Sequence, residues 1–166
     1  MRTLAIDFGE RRIGIAVSDP SGVLARPLEA VAGSRHLEQA AATVLRAIRA
    51  FEAADEPVAT VVVGLPKRLD GSPNDQTPRA AAFAAILARQ SGKAVVLQDE
   101  RLTSHEADQL LAVRERDWRV RKRRLDAAAA AVILQEYLDG QRQAPEAERP
   151  ASAGAAADVA DEGRDG

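Results

Sequence analysis

The stretch that decides the fold is Leu4–Asp19, "LAIDFGERRIGIAVSD", near the start of the chain. Large apolar residues alternate with small or polar ones on either side of a short turn at 9–12. That pattern is typical of two β-strands joined as a hairpin. Asp7 interrupts the first strand with a carboxylate between apolar neighbours. A charged group is costly to bury in such a strand, so Asp7 is the first candidate functional residue.

The rest of the chain alternates strands and helices. A third strand is predicted over 22–31, broken by Pro27, and then a helix over 34–53 with Ser34 as its N-cap. The later elements are a buried strand "VATVVVGLP", a helix opened by Thr77-Pro78 and closed near Ser91-Gly92, a buried strand "AVVLQDE", a helix opened by the capping box "TSHE" at 103–106, and a last helix over about 125–138. This order predicts an α/β fold with a mixed central sheet, in which an antiparallel β-meander joins parallel strands and helices cover both faces.

The composition is that of one globular domain with a distinct tail. The chain has 166 residues, 46% of them hydrophobic and 29% charged, and no cysteine. The absence of cysteine excludes disulfides and thiolate metal sites. Residues 144–166 are rich in Ala, Gly and Pro and carry six acidic residues against two arginines. Such a segment cannot bury enough apolar surface to offset its ordering entropy. We therefore predict a folded domain over 1–143 and a disordered acidic tail over 144–166.

Charge and hydropathy indicate where the protein acts. No apolar run approaches the roughly 18 residues of a membrane span, and Asp7 falls where the apolar core of a signal peptide would lie. We therefore expect a cytoplasmic protein with no membrane partner. The net charge of the chain is −2, but the tail alone carries −4, so the domain carries +2. A mildly basic domain allows a polyanionic partner such as nucleic acid.

Acidic residues fall at three places where a folded core would not favour them. Asp7 lies within a strand, Asp99 and Glu100 end the strand "AVVLQDE", and Asp126 begins an alanine-rich segment. Strand ends and the adjacent helix starts converge on one rim of an α/β sheet, so these residues can meet. Clustered carboxylates repel one another unless a cation lies between them, and Mg²⁺ and Mn²⁺ prefer oxygen ligands. Ions held in this way activate water for phosphodiester hydrolysis.

Each acidic position also has a structural interpretation. Asp126 would stabilise a helix N-terminus through the helix dipole. Either Asp99 or Glu100 would pair with Arg101, which is otherwise a candidate to bind the scissile phosphate. The residues alone do not choose between Asp99 and Glu100 as the metal ligand. Asp7 is the strongest of the candidates, because both of its neighbours are apolar strand residues.

Two basic segments are candidates for substrate binding. The loop 65–75 contains Lys67 and Arg68 among glycines and prolines, and its main-chain amides and basic side chains can contact phosphates. The segment "RERDWRVRKRR", which includes Arg121 and Lys122, has seven basic residues against two acidic ones. Such a run favours salt-sensitive contact with a nucleic-acid backbone. The alternative interpretations are a plain surface loop and a solvated connector.

Four stretches, in this order, resemble the YqgF/RuvX family. They are "DFGERRIGIAVSD" from Asp7, "VVGLPKRLDGS", "DERLTS" and "RRLDAAAAAVIL", and the resemblance extends over about residues 3–139. Members of that family are described as pre-16S rRNA nucleases and as Holliday-junction-resolvase-like proteins, and they have an RNase H-like fold. The resemblance implies that Asp7, Glu100 and Asp126 are the catalytic, metal-binding acidic triad. The acidic tail departs from the family pattern and leaves the triad untouched.

The resemblance also implies the reaction. It is that of an endonuclease using Mg²⁺ or Mn²⁺ on structured RNA, in the maturation of pre-16S ribosomal RNA, with branched DNA as the competing substrate. Ribosome-assembly factors and a second copy of the chain are the further partners it suggests. Two rival functions remain. "DFGERRIG" also resembles the phosphate loop of actin-like ATPases, although those enzymes need two such domains. A non-catalytic nucleic-acid-binding module would keep the fold but would be expected to lack one of the acids.

Overall fold

The computed structural model of the protein describes residues 1–100 and 118–144, with side chains for 1–100 and 125–144. These two ranges contain five strands and three helices, in the order β1 (Arg2–Asp7), β2 (Arg12–Ser18), β3 (Ala25–Ala32), α1 (Leu37–Ala54), β4 (Val58–Pro66), α2 (Thr77–Ser91), β5 (Ala94–Glu100) and α3 (Trp118–Gln143). The predicted capping-box helix at 103–106, Arg101 and residues 145–166 of the predicted tail lie outside the described residues.

The strands form one mixed sheet in the order β3-β2-β1-β4-β5. The pairs β1/β2 and β2/β3 are antiparallel, whereas β4 runs parallel to both β1 and β5. This is the predicted meander joined to parallel strands, and helices cover both of its faces. The predicted α/β class with a mixed central sheet is confirmed.

Helices α1 and α2 cover the first face of the sheet and form the larger core. Alternate residues of β1 and β2 point to this face, as strand geometry requires. The largest side chains are fully buried there: Leu4, Ile6, Ile13, Ile15, Val17, Val44, Ile48, Val61, Phe83 and Leu87. The predicted first helix is confirmed as α1, and its residues Ala41, Val44 and Ile48 are buried in this core.

Of the described helices, α3 is the one that covers the opposite face of the sheet. Its residues Ala130, Ile133 and Leu134 pack on Ala5, Ala16 and Val62 of the sheet. The sheet side chains here are smaller than those on the first face, so the helix axis can lie closer to the strands. None of the described helices is both long enough and apolar enough to cross a membrane.

The third strand differs from the prediction. It spans Ala25–Ala32 and is not broken at Pro27, because β3 is the last strand on its side of the sheet and the missing N–H of Pro27 need not donate to a neighbour. The register between β2 and β3 shifts at Ile15/Ala16, directly opposite Pro27, and this irregularity absorbs the proline.

Strand β5 is also less buried than predicted. Although "AVVLQDE" has the composition of a buried strand, β5 is the last strand of the described sheet. Leu97 is 47% exposed as a result. Strand β4, by contrast, is central, and Val61, Val62 and Val63 are fully buried as predicted.

The helix boundaries need three corrections. The N-cap of α1 is His36, whose N–H donates to the Ser34 hydroxyl at 3.1 Å, so Ser34 stabilises the preceding turn instead. Thr77 is the first residue of α2, with Gln76 as cap, and α2 ends at left-handed Gly92 as predicted. Helix α3 is described from Trp118 onwards and so includes the seven residues before the predicted start, because basic side chains are good helix formers.

Candidate active site

The acidic residues at the ends of β1 and β5 point to the same face of the sheet. Both strands run parallel to β4, so Asp7 and Glu100, their last residues, lie at one edge. Side chains alternate along a strand. Asp7 therefore follows Ala5 onto the α3 face, and Glu100 follows Val96 and Gln98.

A glycine lies on each side of Asp7 in the sheet. Gly14 of β2 pairs with Asp7, and Gly64 of β4 follows Val63, the partner of Ile6. A Cβ atom on Gly14 would lie 1.9 Å from the carbonyl oxygen of Asp126, so the backbone of α3 rests directly on this glycine. A Cβ atom on Gly64 would lie 3.0 Å from Glu100 Oε2. The two glycines thus bring Asp126 and Glu100 towards Asp7 from opposite sides.

The three carboxylates interact electrostatically. Burial raises the pKa of Asp7 well above its ordinary value of 3.8, and the charges of Glu100 and Asp126 raise it further. Burial, followed by the charge of Glu136 on α3, raises the pKa of Glu100 above its ordinary value of 4.5. Among the residues with described side chains, no hydrogen bond or ion pair compensates the carboxylate of Asp7 or Glu100. The face therefore carries negative charge that the described protein does not neutralise.

The helix-dipole interpretation of Asp126 is wrong. Asp126 lies eight residues after the first residue of α3, about two turns inside the helix. The first turn of the described helix, from Trp118, contains no acidic residue. The position of Asp126 is set instead by the contact of α3 with Gly14. Arg12 Nη1 lies 4.0 Å from Asp126 Oδ2.

Strand β5 separates the side chains of Asp99 and Glu100. Asp99 points to the face opposite Glu100, where Lys67 Nζ lies 2.9 Å from its Oδ1. Asp99 is therefore outside the acidic group, while the alternative pairing with Arg101 falls outside the described residues. The same ion pair engages Lys67, one of the predicted phosphate-binding residues.

The structure describes the other predicted substrate-binding residues only in part. Arg68 is exposed at the start of a turn in which its carbonyl accepts a hydrogen bond from Gly71 N at 2.9 Å. Arg121 and Lys122 lie in the first turns of α3, so part of the predicted basic connector is helical. The side chains of 118–124 and all of Arg101 lie outside the description. The roles of all these residues remain predictions.

A cavity of about 560 Å³ opens beside Asp126, and the sequence analysis did not identify it. Its walls come from the β1–β2 turn, the start of α2 and α3: Phe8, Gly9, Glu10, Arg11, Arg12, Gln76, Arg79 and Asp126. Arg11 and Arg12 belong to the predicted hairpin, but nothing in the sequence indicates that Arg79, from a helix 67 residues after Arg12, lies beside them.

The acidic group offers the donor atoms of a divalent-metal site, but its side chains are not arranged around a common centre. Across residues 1–100 and 125–144, no three His, Cys, Asp or Glu side chains are arranged closely enough to hold a metal ion. Three anionic side chains without a cation repel one another, and one of them, Asp126, lies near Arg12. The donors are all carboxylate oxygens, which Mg²⁺ and Mn²⁺ prefer. The raised pKa values of Asp7 and Glu100 mark charge that such an ion would neutralise.

The fold and the site together define an α/β protein whose mixed sheet carries interacting acidic residues on its α3 face. The family described as "RuvX: Holliday junction resolvase" matches residues 1–140. The chain belongs to this family.

Curated relatives of the chain share most of its length. A protein of Anaeromyxobacter sp. named "Putative pre-16S rRNA nuclease" is 43% identical over 143 residues, which are 85% of this chain and 98% of the relative. One of the same name from Koribacter versatilis is 39% identical over 151 residues, covering 91% and 94%. Among solved structures, Thermus thermophilus RuvC in complex with a Holliday junction substrate aligns with 86% of this chain and 97% of its own at 18% identity and a TM-score of 0.47.

Proposed function

We propose that the protein is a metal-dependent endonuclease that hydrolyses phosphodiester bonds in pre-16S ribosomal RNA. The observation that carries the proposal is the position of Asp7, set between two glycines and facing the charges of Glu100 and Asp126. Membership of the RuvX family supports a nuclease, and the name shared by the two relatives supports pre-16S ribosomal RNA as the substrate.

The carboxylate donors have the chemistry that the reaction requires, and binding of an ion would draw them closer together than they lie in the described residues. Asp7, Glu100 and Asp126 would hold Mg²⁺ or Mn²⁺, and a bound ion of this kind supplies an activated water and stabilises charge on the departing oxygen. Hydrolysis adds the water oxygen to phosphorus and breaks the bond to the leaving strand, so no covalent intermediate with the protein is needed. The helix α3 and the sheet fix the three carboxylates on rigid elements, which favours a reproducible geometry.

The central experiment compares cleavage by the wild type and Asp7→Asn. Labelled pre-16S rRNA is incubated with each protein in Mg²⁺, Mn²⁺ or EDTA. We expect the wild type to cut only with a divalent ion and the variant to lose at least about 100-fold in rate, since loss of even an outer partner of a metal site costs about 10–100-fold. Glu29→Gln, at an exposed acid on β3, is the matched control and should cut normally.

The outcomes distinguish the rival functions. Unchanged cutting by Asp7→Asn would remove Asp7 from the mechanism, and cutting in EDTA would remove the metal. Wild-type protein that binds RNA and cuts no substrate under any of these conditions would support the non-catalytic binding module.

Branched DNA is a second candidate substrate, because the matching family is described as a Holliday junction resolvase. A labelled four-way junction is included in the same assay. Preferential, symmetrical cutting of the junction, with pre-16S rRNA left intact, would replace RNA by branched DNA as the substrate.

A further inference from the structure

The cavity beside Asp126 contains more positive than negative charge. Arg11, Arg12 and Arg79 line it together with Glu10 and Asp126. Its volume of about 560 Å³ lies within the roughly 300–1,000 Å³ of sites that hold small organic ligands. A phosphate with its sugar therefore fits, and the cavity adjoins the acidic group at Asp126.

The turn that carries Arg11 and Arg12 is held rigidly. Gly33 N donates to Arg11 O at 2.9 Å. A Cβ on Gly33 would lie 2.5 Å from Gly9 O, and a Cβ on Gly9 would lie 2.5 Å from Arg12 O. The backbone therefore packs so closely that only glycine fits at either position, and the two arginines project from a fixed loop.

Arg79 is oriented from the opposite wall. Its Nε lies 3.2 Å from Glu10 Oε1, and its Nη2 donates to the carbonyl of Arg35 at 3.0 Å. Glu10 thus balances one of the three arginines. Arg11 is exposed and forms no ion pair with any residue whose side chain is described, so its charge is available to a ligand. The positive end of α2 faces the same cavity at Gln76.

We propose that Arg11, Arg12 and Arg79 bind successive phosphates of the nucleic-acid strand beside the scissile bond. This inference rests on the proposed function and specifies how the substrate reaches the acidic group. Guanidinium groups suit phosphates because their fixed N–H donors match two phosphate oxygens at once. Arg12 lines the cavity and its Nη1 lies 4.0 Å from Asp126 Oδ2, so it marks the point where the strand enters the catalytic face.

The test measures RNA binding without cleavage. A fluorescently labelled single-stranded RNA is titrated in EDTA at several salt concentrations with the wild type and with Arg11→Gln/Arg79→Gln. The binding constant K falls as salt rises, and each lost phosphate contact should make the slope of log K against log salt less negative by about 0.7. We expect the double variant to bind more weakly and to have a slope smaller by about 1.4. Arg12 is left unchanged because it adjoins Asp126.

A matched control removes two arginines elsewhere. Arg46→Gln/Arg89→Gln makes the same charge change at exposed positions of α1 and α2, and Arg89 is paired with Glu38 as Arg79 is paired with Glu10. This variant should keep the wild-type slope. Equal losses in both double variants would show a general charge effect and overturn the inference. Thermal melting of each variant verifies that it is folded.

A cleavage assay separates failure of the inference from failure of the proposed function. In Mg²⁺ or Mn²⁺ the Arg11→Gln/Arg79→Gln variant should raise KM and leave kcat close to that of the wild type. Unchanged RNA binding by this variant, with normal wild-type cutting, overturns the inference alone. A wild type that cuts nothing, but loses RNA binding with these arginines, overturns the nuclease and leaves the phosphate site standing.

A free nucleotide is the other ligand with the same phosphate chemistry. Labelled ATP is therefore titrated against the wild type and the Arg11→Gln/Arg79→Gln variant. Binding of ATP that is lost in the variant, while RNA binding is retained, would overturn the strand site in favour of a nucleotide pocket.

Discussion

The two faces of the sheet use the same strands for different purposes. On the α1/α2 face, large aliphatic side chains and Phe83 form a core that is fully buried. On the α3 face, alanines and glycines replace them, and carboxylates lie at the edge. Large side chains give the first face more buried area and thus more stability. Small ones on the second face let a helix approach the strands closely and place Asp126 near Asp7.

The largest effect on stability is expected from the α1/α2 face. Leu87 of α2 is fully buried in the larger core, and Leu→Ala substitutions at such sites cost about 2–5 kcal/mol. Leu87→Ala should lower the free energy of unfolding, measured in urea, by that amount. Cleavage per folded molecule should stay normal at temperatures where the variant is folded. A loss of cleavage without a loss of stability would show that the faces are not separate in function.

Gly14→Ala should have a smaller effect on stability and a larger one on activity. The added methyl would overlap the backbone of Asp126, and overpacking of this kind costs about 1–3 kcal/mol. Relief requires α3 to move away from β2, which carries Asp126 away from Asp7. We expect cleavage to fall at least as far as in Asp7→Asn.

Gly140→Ala is the control for this substitution. Gly140 is exposed near the end of the same helix, and a Cβ there meets nothing within 4 Å. Replacing a helical glycine by alanine should stabilise the protein by up to about 1 kcal/mol. Normal cleavage by Gly14→Ala would show that the close contact between α3 and β2 does not set the catalytic geometry.

The contrast between the faces explains which features the sequence could predict. Strands β1, β2 and β4 and the end of α2 at Gly92 follow from local patterns of apolar residues and turn residues. The approach of α3 to Gly14 depends on the register of two strands and on a helix more than 100 residues away. The pattern "AVVLQDE" records the apolar character of β5 but not that it ends the described sheet.

The acidic site was predicted in part for the same reason. Asp7 stands out because its own strand is apolar, so one segment is enough to identify it. Glu100 could be chosen over Asp99 only from the resemblance, because which of two adjacent residues faces α3 depends on the pairing of β5 with β4. Arg79 had no local signal at all, since its partner in the cavity wall, Glu10, comes from a distant turn.

Asp7→Asn should change stability and activity in opposite directions. Burial and two neighbouring negative charges disfavour the Asp7 carboxylate in the folded state. Without divalent ions at neutral pH, the neutral asparagine should therefore raise the melting temperature, by about 2–4 °C for each kcal/mol gained. Adding Mg²⁺ or Mn²⁺ should then stabilise the wild type more than the variant, because only the native site binds the ion well. A lower melting temperature for the variant in EDTA would indicate that Asp7 has a structural partner instead.

The smallest effect is expected at the other end of the sheet, where a carboxylate is balanced. Glu52 of α1 accepts hydrogen bonds from Lys93 Nζ at 2.6 Å and Val58 N at 2.8 Å. The bond from Lys93, followed by that from Val58, lowers the pKa of Glu52 below its ordinary value of 4.5. A carboxylate whose pKa is lowered by folding stabilises the folded state at pH values above its ordinary pKa of 4.5. This contribution is lost as the pH falls below 4.5 and through the lowered pKa.

Glu52→Gln should therefore lower the free energy of unfolding at pH 7 by at most about 1 kcal/mol, as is usual for a partly exposed ion pair. Its urea stability should fall less than that of the wild type between pH 7 and pH 3. Cleavage at neutral pH should not change, because Glu52 lies at the start of β4 and Asp7 at the end of β1, the strand parallel to it. Equal acid sensitivity of the two proteins would mean that Glu52 is not stabilised by folding. Glu52, which has hydrogen-bond donors, and Asp7, which faces other carboxylates, would then not differ in how folding changes their pKa values.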